Sequence, residues 1–501
     1  MTKFPQYIQK NSLLILVLGL VLLIGLWFRT YAIVDRFEFA HDGDLYSWFV
    51  KNVVVDKHIR LIGQLTTAPG IFIGPLFYYA LIPFFLLTKM DPIGTLIPIT
   101  LFGLATIASY YSVFSKLFNK SAGIIAAFLH SVLISPVYFD RAVVPSTPTH
   151  IWMVWYFYCV ISIVRGNYRV LWILGLLLGL IWHIHIALLP ALIALIPAVI
   201  LAKKLPSRKG IFVFLLSLTL TSIPLILFEV RHNFSQTKAF MENFTTPHNT
   251  EPPGFEKLNH VLIKITRNFE RLFFYPSSAP ISPRILLWGT LISSIFLIHK
   301  KLLTKKDLTV AFVWFGGIIA FYSLSSSQLS EYYFTNIEVI YIAIVSLWFA
   351  WLFNRSKWRK YVVVAFLLIV GIKNAHYLIT QEFYQKGYNE RRELAEFITE
   401  DSREKGYPCV AVSYITSPGE DVGFRYFFWL ENLHVNKPIS GSPVYSIVQP
   451  RHLAQGQNEK HFGQIKVIPP PKNEVKSKEE VKKSCSGENS NLADPMFGFT
   501  K

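Results

Sequence analysis

The chain has 501 residues, 52% of them hydrophobic and only 16% charged, with a formal net charge of +18. A soluble protein carries about 25% charged residues, so this composition excludes an ordinary soluble domain and points to a polytopic membrane protein. The surplus positive charge falls in short clusters between apolar runs and forms no basic stripe among exposed aromatics, so no nucleic-acid partner is expected.

In chain order, Lys3 and Lys10 precede a first apolar run near 12–28, read as a retained signal anchor. Further runs fall near 70–88, 94–112, 121–138, 150–164, 170–187, 188–203, 211–228, 284–299, 308–325, 336–353 and 361–378. Each approaches the ~20 residues a helix needs to cross ~30 Å of hydrocarbon. Backbone groups in lipid have to be paired within their own segment, so these runs are helices. Pro190 and Pro197 kink or divide theirs. Basic clusters at Lys116 and Lys120, Arg165 and Arg169, Lys203 to Lys209, Lys300 to Lys306 and Arg355 to Lys360 occupy alternate loops and mark the cytoplasmic side. The N-terminus is then cytoplasmic. Loops 29–69, 139–149, 229–283 and 326–335, and everything after 379, lie outside a plasma (inner) membrane. Two full crossings by 70–88 and 94–112 break this alternation. Pro69-Gly70, Gly74-Pro75 and Pro83 interrupt the first, so it is read as re-entrant or shallow, leaving about eleven spans.

The long exterior loop 229–283 carries Pro247, Pro252, Pro253 and Gly254; loops of this length are functional or disordered. Beyond it the reading is a helix over Asn389–Lys405 capped by Asn389, a buried strand over Cys409–Ile415 and a second helix over Gly423–Leu433. Cys409 and Cys485 are both in this region and free to pair; Cys159 lies inside an apolar run, and no cysteine spacing suits a metal. The expected fold is therefore mostly α, with about 11 transmembrane helices in residues 1–380, a small α/β exterior domain in 381–468, and a disordered tail in 469–501 that is charged and poor in apolar residues.

The chemistry-bearing residues cluster at exterior helix ends. Phe37 to Trp48 contains Asp42 and Asp44 just past the first span. Asp42 is read as a general base that takes a proton from an attacking hydroxyl, and Asp44 as its pKa-tuning, acceptor-orienting or cation-holding neighbour; the bland alternative is two solvated, helix-capping carboxylates. Arg29, Arg36, Lys51, Lys57 and Arg60 in the same loop either neutralise a lipid phosphate or coat the bilayer surface. Arg141 has the planar fork that fits two phosphate oxygens, or it pairs with its neighbour Asp140. His183 and His185, at i and i+2, face different sides of a helix and are not a metal pair. At least one is read as a packing histidine. Glu229, Arg231 and His232 open the long loop directly after Leu227-Phe228, either as a cavity wall with Arg231 on phosphate or as interfacial anchors. Tyr78, Tyr79, Tyr332, Tyr333 and Phe334 can stack on a sugar ring or belong to the interfacial aromatic belt.

Asp42-Gly43-Asp44-Leu45-Tyr46 is similar to an Asp-Glu-x-x-Tyr first-loop motif. Gly70 to Tyr79 is similar to a Pro-Leu-x-Tyr-Tyr segment, and Asp140-Arg141 to a Ser-Arg pair before the next span. In this order, over residues 10–380, the chain resembles the GT-C-type integral-membrane glycosyltransferases, specifically the protein mannosyltransferase, aminoarabinose transferase and RgtA/B/C/D-like group. It departs from that pattern at Gly43, where the family has Glu, and at Ser146, where it places an Asp. The resemblance implies inverting transfer of a sugar from a polyprenyl-phosphate donor to a glycan, lipid or protein acceptor on the outer face. Asp42 would be the base, and Arg141 and Arg231 would hold the departing phosphate. The cavity would be completed by Tyr46, Tyr78, Asp140, His183, His185, Glu229 and His232. A divalent cation is possible and its ligands are unknown. The competing classes are a transporter or flippase of lipid-linked sugars, expected to show repeat symmetry and mid-membrane charges, and a non-catalytic envelope assembly protein.

Overall fold

The computed structural model describes residues 3–66, 68–245, 254–325, 329–471 and 477–493. Pro247, Pro252 and Pro253 of the long loop lie outside the described residues, as do 472–476 and 494–501 of the expected tail.

Among the described residues, six helices are long and apolar enough to cross a membrane, and a seventh candidate is a pair, Lys120–Val132 and Ile134–Arg141, bent by 66°. Five shorter apolar segments accompany them: Leu76–Leu87, Thr149–Val164, Tyr168–Ile184, Ile186–Ala202 and Pro283–His299. The chain is a mostly helical, multi-pass membrane protein; the tally of about eleven is not settled by length and composition. Leu76–Leu87 has 12 residues, about 18 Å of helix, against ~30 Å of hydrocarbon. Its buried face, Phe77, Tyr78, Leu81 and Phe85, joins a cluster with the exterior domain. Pro190 and Pro197 divide their segment as expected, into a 3-10 stretch Ile186–Ala194 and a helix Leu195–Ala202.

The bend at Leu133 has a local cause. Pro136 lies four residues after Val132, so a continuous helix sets its ring against the Val132 carbonyl. The break frees carbonyls that need other donors. Arg29, at the end of the first helix Lys3–Thr30, donates to His130 O and Ser131 O, each at 3.2 Å. Asn374 Nδ2 takes Val132 O at 2.9 Å. The Arg29 guanidinium is fully buried. It has room because residue 103 is glycine; a Cβ there would come within 2.4 Å of Arg29 Nε.

The C-terminal part carries a five-stranded sheet of β1 (Val410–Thr416), β2 (Val435–Asn436), β3 (Val444–Gln449), β4 (Lys460–Phe462) and β5 (Ile465–Ile468), in the order β2-β1-β3-β5-β4. β1 pairs in parallel with β2 and β3, and β5 runs antiparallel to β3 and β4. The two expected helices form over Tyr388–Glu404 and Arg425–Leu430. The first is capped at Gly387, whose N–H donates to Glu390, and not by Asn389, whose amide donates to Asp35 at 3.1 Å. This region has no core of its own. Tyr388, Leu394, Val410, Tyr426 and Phe427 share one apolar cluster with Leu45, Tyr46, Trp48 and Phe49 of the helix His41–Val54. The helix that carries Asp42 is thereby clamped from outside.

The tail departs from its expected disorder. Residues 478–484 and 490–493 are helical, and Cys409 and Cys485 form a disulfide across 76 residues. Charged composition predicts no buried core here, but a covalent tether to β1's approach and Val481, 1% exposed, supply an anchor that composition does not register.

The three cysteines give a direct check. Cys159 is free and buried, so native protein is expected to take up no maleimide. Denatured protein takes one, and denatured and reduced protein takes three, by intact mass. Three labels without reductant contradict the disulfide.

Candidate functional site

Asp42 sits in the first turn of His41–Val54 and is half-buried. Gln64 Nε2 donates to its Oδ1 at 3.3 Å, and the Tyr78 hydroxyl donates to Gln64 Oε1 at 2.9 Å. Gln64 is fixed in turn by a hairpin: Ile73 N donates to Gln64 O at 2.9 Å, and Gly63 N to Ile73 O at 2.6 Å. The hairpin is pinned to the bundle at Gly74, whose N–H donates to Trp182 O at 2.8 Å. Only glycine fits, since a Cβ at residue 74 would lie 2.0 Å from the His183 ring. His183 accepts from Leu76 N at 3.4 Å and faces Thr221 O at 2.8 Å, so it is a packing histidine. The glycine-rich segment thus acts on Asp42 from one layer back. Tyr78 is buried and orients Gln64; it does not line the cavity. Tyr46 is 2% exposed inside the shared core.

Asp42 opens onto a cavity of about 580 Å³ whose walls include Arg36, Glu38, His41, Tyr138, Arg141 and Tyr275. Arg141 donates to the carbonyls of Tyr31 (3.0 Å), Ala32 (3.4 Å) and Phe28 (3.5 Å), which end the first helix. Arg36 donates to Leu378 O at 2.6 Å and Gln381 O at 3.1 Å, while its Nε and Nη1 have no partner. Its guanidinium lies 5.1 Å from the Phe383 ring. Among the described residues neither arginine forms an ion pair, and Arg141 feels the charge of Arg36. Two guanidiniums on one cavity, held by neutral carbonyls, present donors whose geometry suits an anion such as phosphate. Burial pushes the Glu38 carboxyl on the same wall up from its usual value, against the pull of Lys386.

Arg231 is not brought to this cavity. It is exposed at the end of Arg208–Arg231, and Arg36 occupies the second cationic place. Glu229 accepts from Gln236 N, Thr237 N and the Thr237 hydroxyl at 3.1, 3.1 and 2.6 Å, which caps the next helix Ser235–Thr245. His232 stacks on Phe228, with its Nδ1 2.9 Å from Phe228 O. Contiguity with a span end suggested a cavity wall; what these residues do is close one helix and start another.

Asp44 also turns away. It is 2% exposed, accepts from Trp48 Nε1 at 3.1 Å and from the backbone N–H groups of Tyr426 and Gly423, and faces Arg425. It ties the Asp42 helix to the C-terminal region. Burial pushes its carboxyl up to about 6, with Arg425 opposing.

Asp140 pairs with Arg29, not with Arg141. Arg29 Nη2 and Nε reach Asp140 Oδ2 at 2.5 and 3.1 Å. His130 Nε2 lies 3.1 Å from the same oxygen, and His150 Nδ1 lies 3.1 Å from Oδ1. His150 Nε2 continues to Glu338 at 3.4 Å, and Asn268 Nδ2 donates to Glu338 Oε1 at 2.7 Å. Atoms of His130, Asp140 and His150 that could ligate a metal lie within 4.8 Å of one another. The donor set does not suit a dication. Both carboxylate oxygens are engaged, Oδ2 by Arg29 and His130 and Oδ1 by His150, so an ion there has to displace contacts already made and meet the Arg29 charge. His185 reaches Tyr332 OH at 3.2 Å, and Tyr332 lines a second cavity of about 340 Å³ with His150, Asn268 and Glu338. Tyr138 and Tyr275 line both cavities.

No family model and no curated protein matches the chain by sequence. Solved structures do. ArnT from Cupriavidus metallidurans bound to undecaprenyl phosphate aligns over 93% of this chain and 99% of its own, at 11% identity and a TM-score of 0.57. The same protein in the apo state aligns over 94% and 100%, at 10% identity and 0.52. A weaker likeness to archaeal oligosaccharyltransferase AglB from Archaeoglobus fulgidus, at 13% identity and 0.45 over 88% of this chain and 70% of that one, adds nothing to the fold. The chain has the fold of ArnT, the aminoarabinose-transferase type of GT-C glycosyltransferase to which its motifs are similar.

Arg29→Leu is expected to leave Asp140 buried without its cation, at a cost of about 3–5 kcal/mol. The thermal unfolding midpoint in detergent should fall by several degrees. An unchanged midpoint contradicts the placement. Asp44 sets a pH dependence. Its folded pKa of about 6 lies above the ordinary 3.8, so its favourable contribution is full below the lower value and lost as pH rises through the upper. Relative to Asp44→Asn, wild type should therefore gain up to about 3 kcal/mol as pH falls from 7 to 4, measured by unfolding at both pH values.

Proposed function

We propose that the protein is a membrane glycosyltransferase that moves a sugar from a polyprenyl-phosphate donor to an acceptor hydroxyl, with inversion. The observation that carries this reading is one cavity walled by the carboxylate of Asp42 and by the ion-pair-free guanidiniums of Arg36 and Arg141. The acceptor O–H gives its proton to Asp42, and its oxygen attacks the anomeric carbon. The bond from that carbon to the phosphate oxygen breaks, and its electron pair leaves with the phosphate. The charge gained there is met by Arg36 and Arg141, fixed in advance by backbone carbonyls. A lipid-anchored donor enters sideways from the bilayer, so this route asks for no soluble nucleotide-binding domain. ArnT, of the same fold, is known with undecaprenyl phosphate bound, which supports a lipid phosphate here.

The reading places this cavity and the exterior domain on the outer face and the N-terminus in the cytoplasm. The Cys409–Cys485 disulfide supports that placement, since such bonds persist in oxidising compartments. Taking the bent pair as one span and Leu76–Leu87 as re-entrant agrees with eleven crossings.

Membranes incubated with radiolabelled polyprenyl-phosphate sugars provide the test. Asp42→Asn should lower label transfer by about 10²–10⁴-fold, and Arg36→Ala and Arg141→Ala each by about 10²-fold or more. Arg231→Ala should leave transfer near wild type. Transfer that survives Asp42→Asn undiminished removes Asp42 as the base.

A further inference from the structure

The second cavity, about 340 Å³, lies beside the first across a shared wall of Tyr138 and Tyr275. Its lining is polar and buried: His150, Asn268, Thr335 and Glu338 are 2%, 7%, 4% and 4% exposed. A burial of this depth at the end of an apolar bundle is costly unless every group is paired, and here the pairing is incomplete. Asn268 spends its amide N–H on Glu338, and its Oδ1 has no partner. The charges, by contrast, cancel. Both His150 ring nitrogens face carboxylate oxygens, of Asp140 and Glu338, so both have to donate and the ring is an imidazolium. Arg29 and His150 then balance Asp140 and Glu338. At the rim, Glu331 is paired with Arg271 and lies 3.8 Å from Lys264. The buried interior thus offers hydrogen-bond acceptors and donors with no net charge, while the rim carries one cation more than its single carboxylate, Glu331.

From this we infer that the second cavity receives the ring of the transferred sugar, and that it selects an uncharged, hydroxyl-bearing ring. The inference rests on the first cavity holding the donor phosphate. With the phosphate at Arg36 and Arg141, the ring attached to it extends past Tyr138 and Tyr275, whose aromatic faces suit the C–H side of a pyranose. Its hydroxyls meet Asn268, Thr335 and Glu338. Tyr138 and Tyr275 also line the Asp42 cavity, so a ring seated against them keeps its reacting carbon beside that cavity. A charged ring seated in the interior finds Glu338 already paired with His150, and loses its own hydration without a counter-charge.

The test uses full-length protein in lipid nanodiscs. Binding is measured for undecaprenyl phosphate alone, and for undecaprenyl phosphate carrying glucose, galactose, mannose, glucosamine or glucuronic acid. Wild type should bind at least one neutral-hexose lipid about tenfold more tightly than the bare lipid, the size of one or two hydrogen bonds, and the two charged-sugar lipids no more tightly than bare lipid. Asn268→Ala should erase the tenfold gain while leaving bare-lipid affinity unchanged, which also shows that the variant is folded. Thr335→Val, which keeps shape and removes only the hydroxyl, should reduce it in the same direction. A gain that survives both changes, a preference for a charged sugar, or no preference in wild type overturns the inference. Failure of wild type to bind the bare lipid instead overturns the phosphate reading of the first cavity, and the two failures are told apart by that single arm.

Discussion

The structure depends on where the Arg29 guanidinium goes. Pro136 stops a helix in mid-bundle and leaves carbonyls of His130 and Ser131 without their usual donors. One side chain from the first helix covers both and holds Asp140 at 2.5 Å. A buried ion pair is not in itself a strong source of stability, since desolvation offsets most of the attraction. What it fixes is geometry. The short helix Ile134–Arg141 can leave the bend in one direction only, and that direction carries Tyr138 and Arg141 to the cavity wall. Arg141 then closes the carbonyl end of the first helix, so the two arginines lock the same pair of helices at two levels.

The second constraint comes from outside the bundle. A helix of 14 residues in a loop is marginal alone. Here it is held by the Asp44 carboxylate against the N–H groups of Gly423 and Tyr426, and by an aromatic core continuous with the exterior domain. From the other side, the Gly70 to Pro75 hairpin delivers Gln64 to Asp42. Asp42 is thus held from two sides, by the sheet-bearing C-terminal region and by the hairpin, which is the fixity that a carboxylate proposed as a base requires.

Much of the fold is legible in the sequence because lipid imposes one rule, internal pairing, on every apolar run. The helices and the interrupted segment after Pro69 follow from it, while the α/β character after 379 follows from the periodicity of a less apolar stretch. Asp42 and Arg141 stand out by the ordered motifs they belong to, since ionisable groups at span ends are common. Long-range pairing is not legible. Nothing local joins Arg29 to Asp140, 111 residues apart, and the adjacent Arg141 is the natural but incorrect partner. Arg36 stands in the sequence as one of five loop cations; its place on the cavity wall beside Arg141 sets it apart. Glu229, Arg231 and His232 have the composition of a binding wall, and the structure uses them to cap and stack. His130, His150 and Glu338 are buried in apolar runs, where a polar residue is flagged by its rarity alone and its partner has to be seen.

The central claim is that an anionic lipid headgroup is held between Arg36 and Arg141 within reach of Asp42. An experimental structure of the protein with undecaprenyl phosphate tests it most directly. The account predicts phosphate density within hydrogen-bond distance of both guanidiniums, on the cavity wall shared with Asp42. Phosphate bound at Arg231, or anywhere else with Arg36 and Arg141 left free, contradicts it.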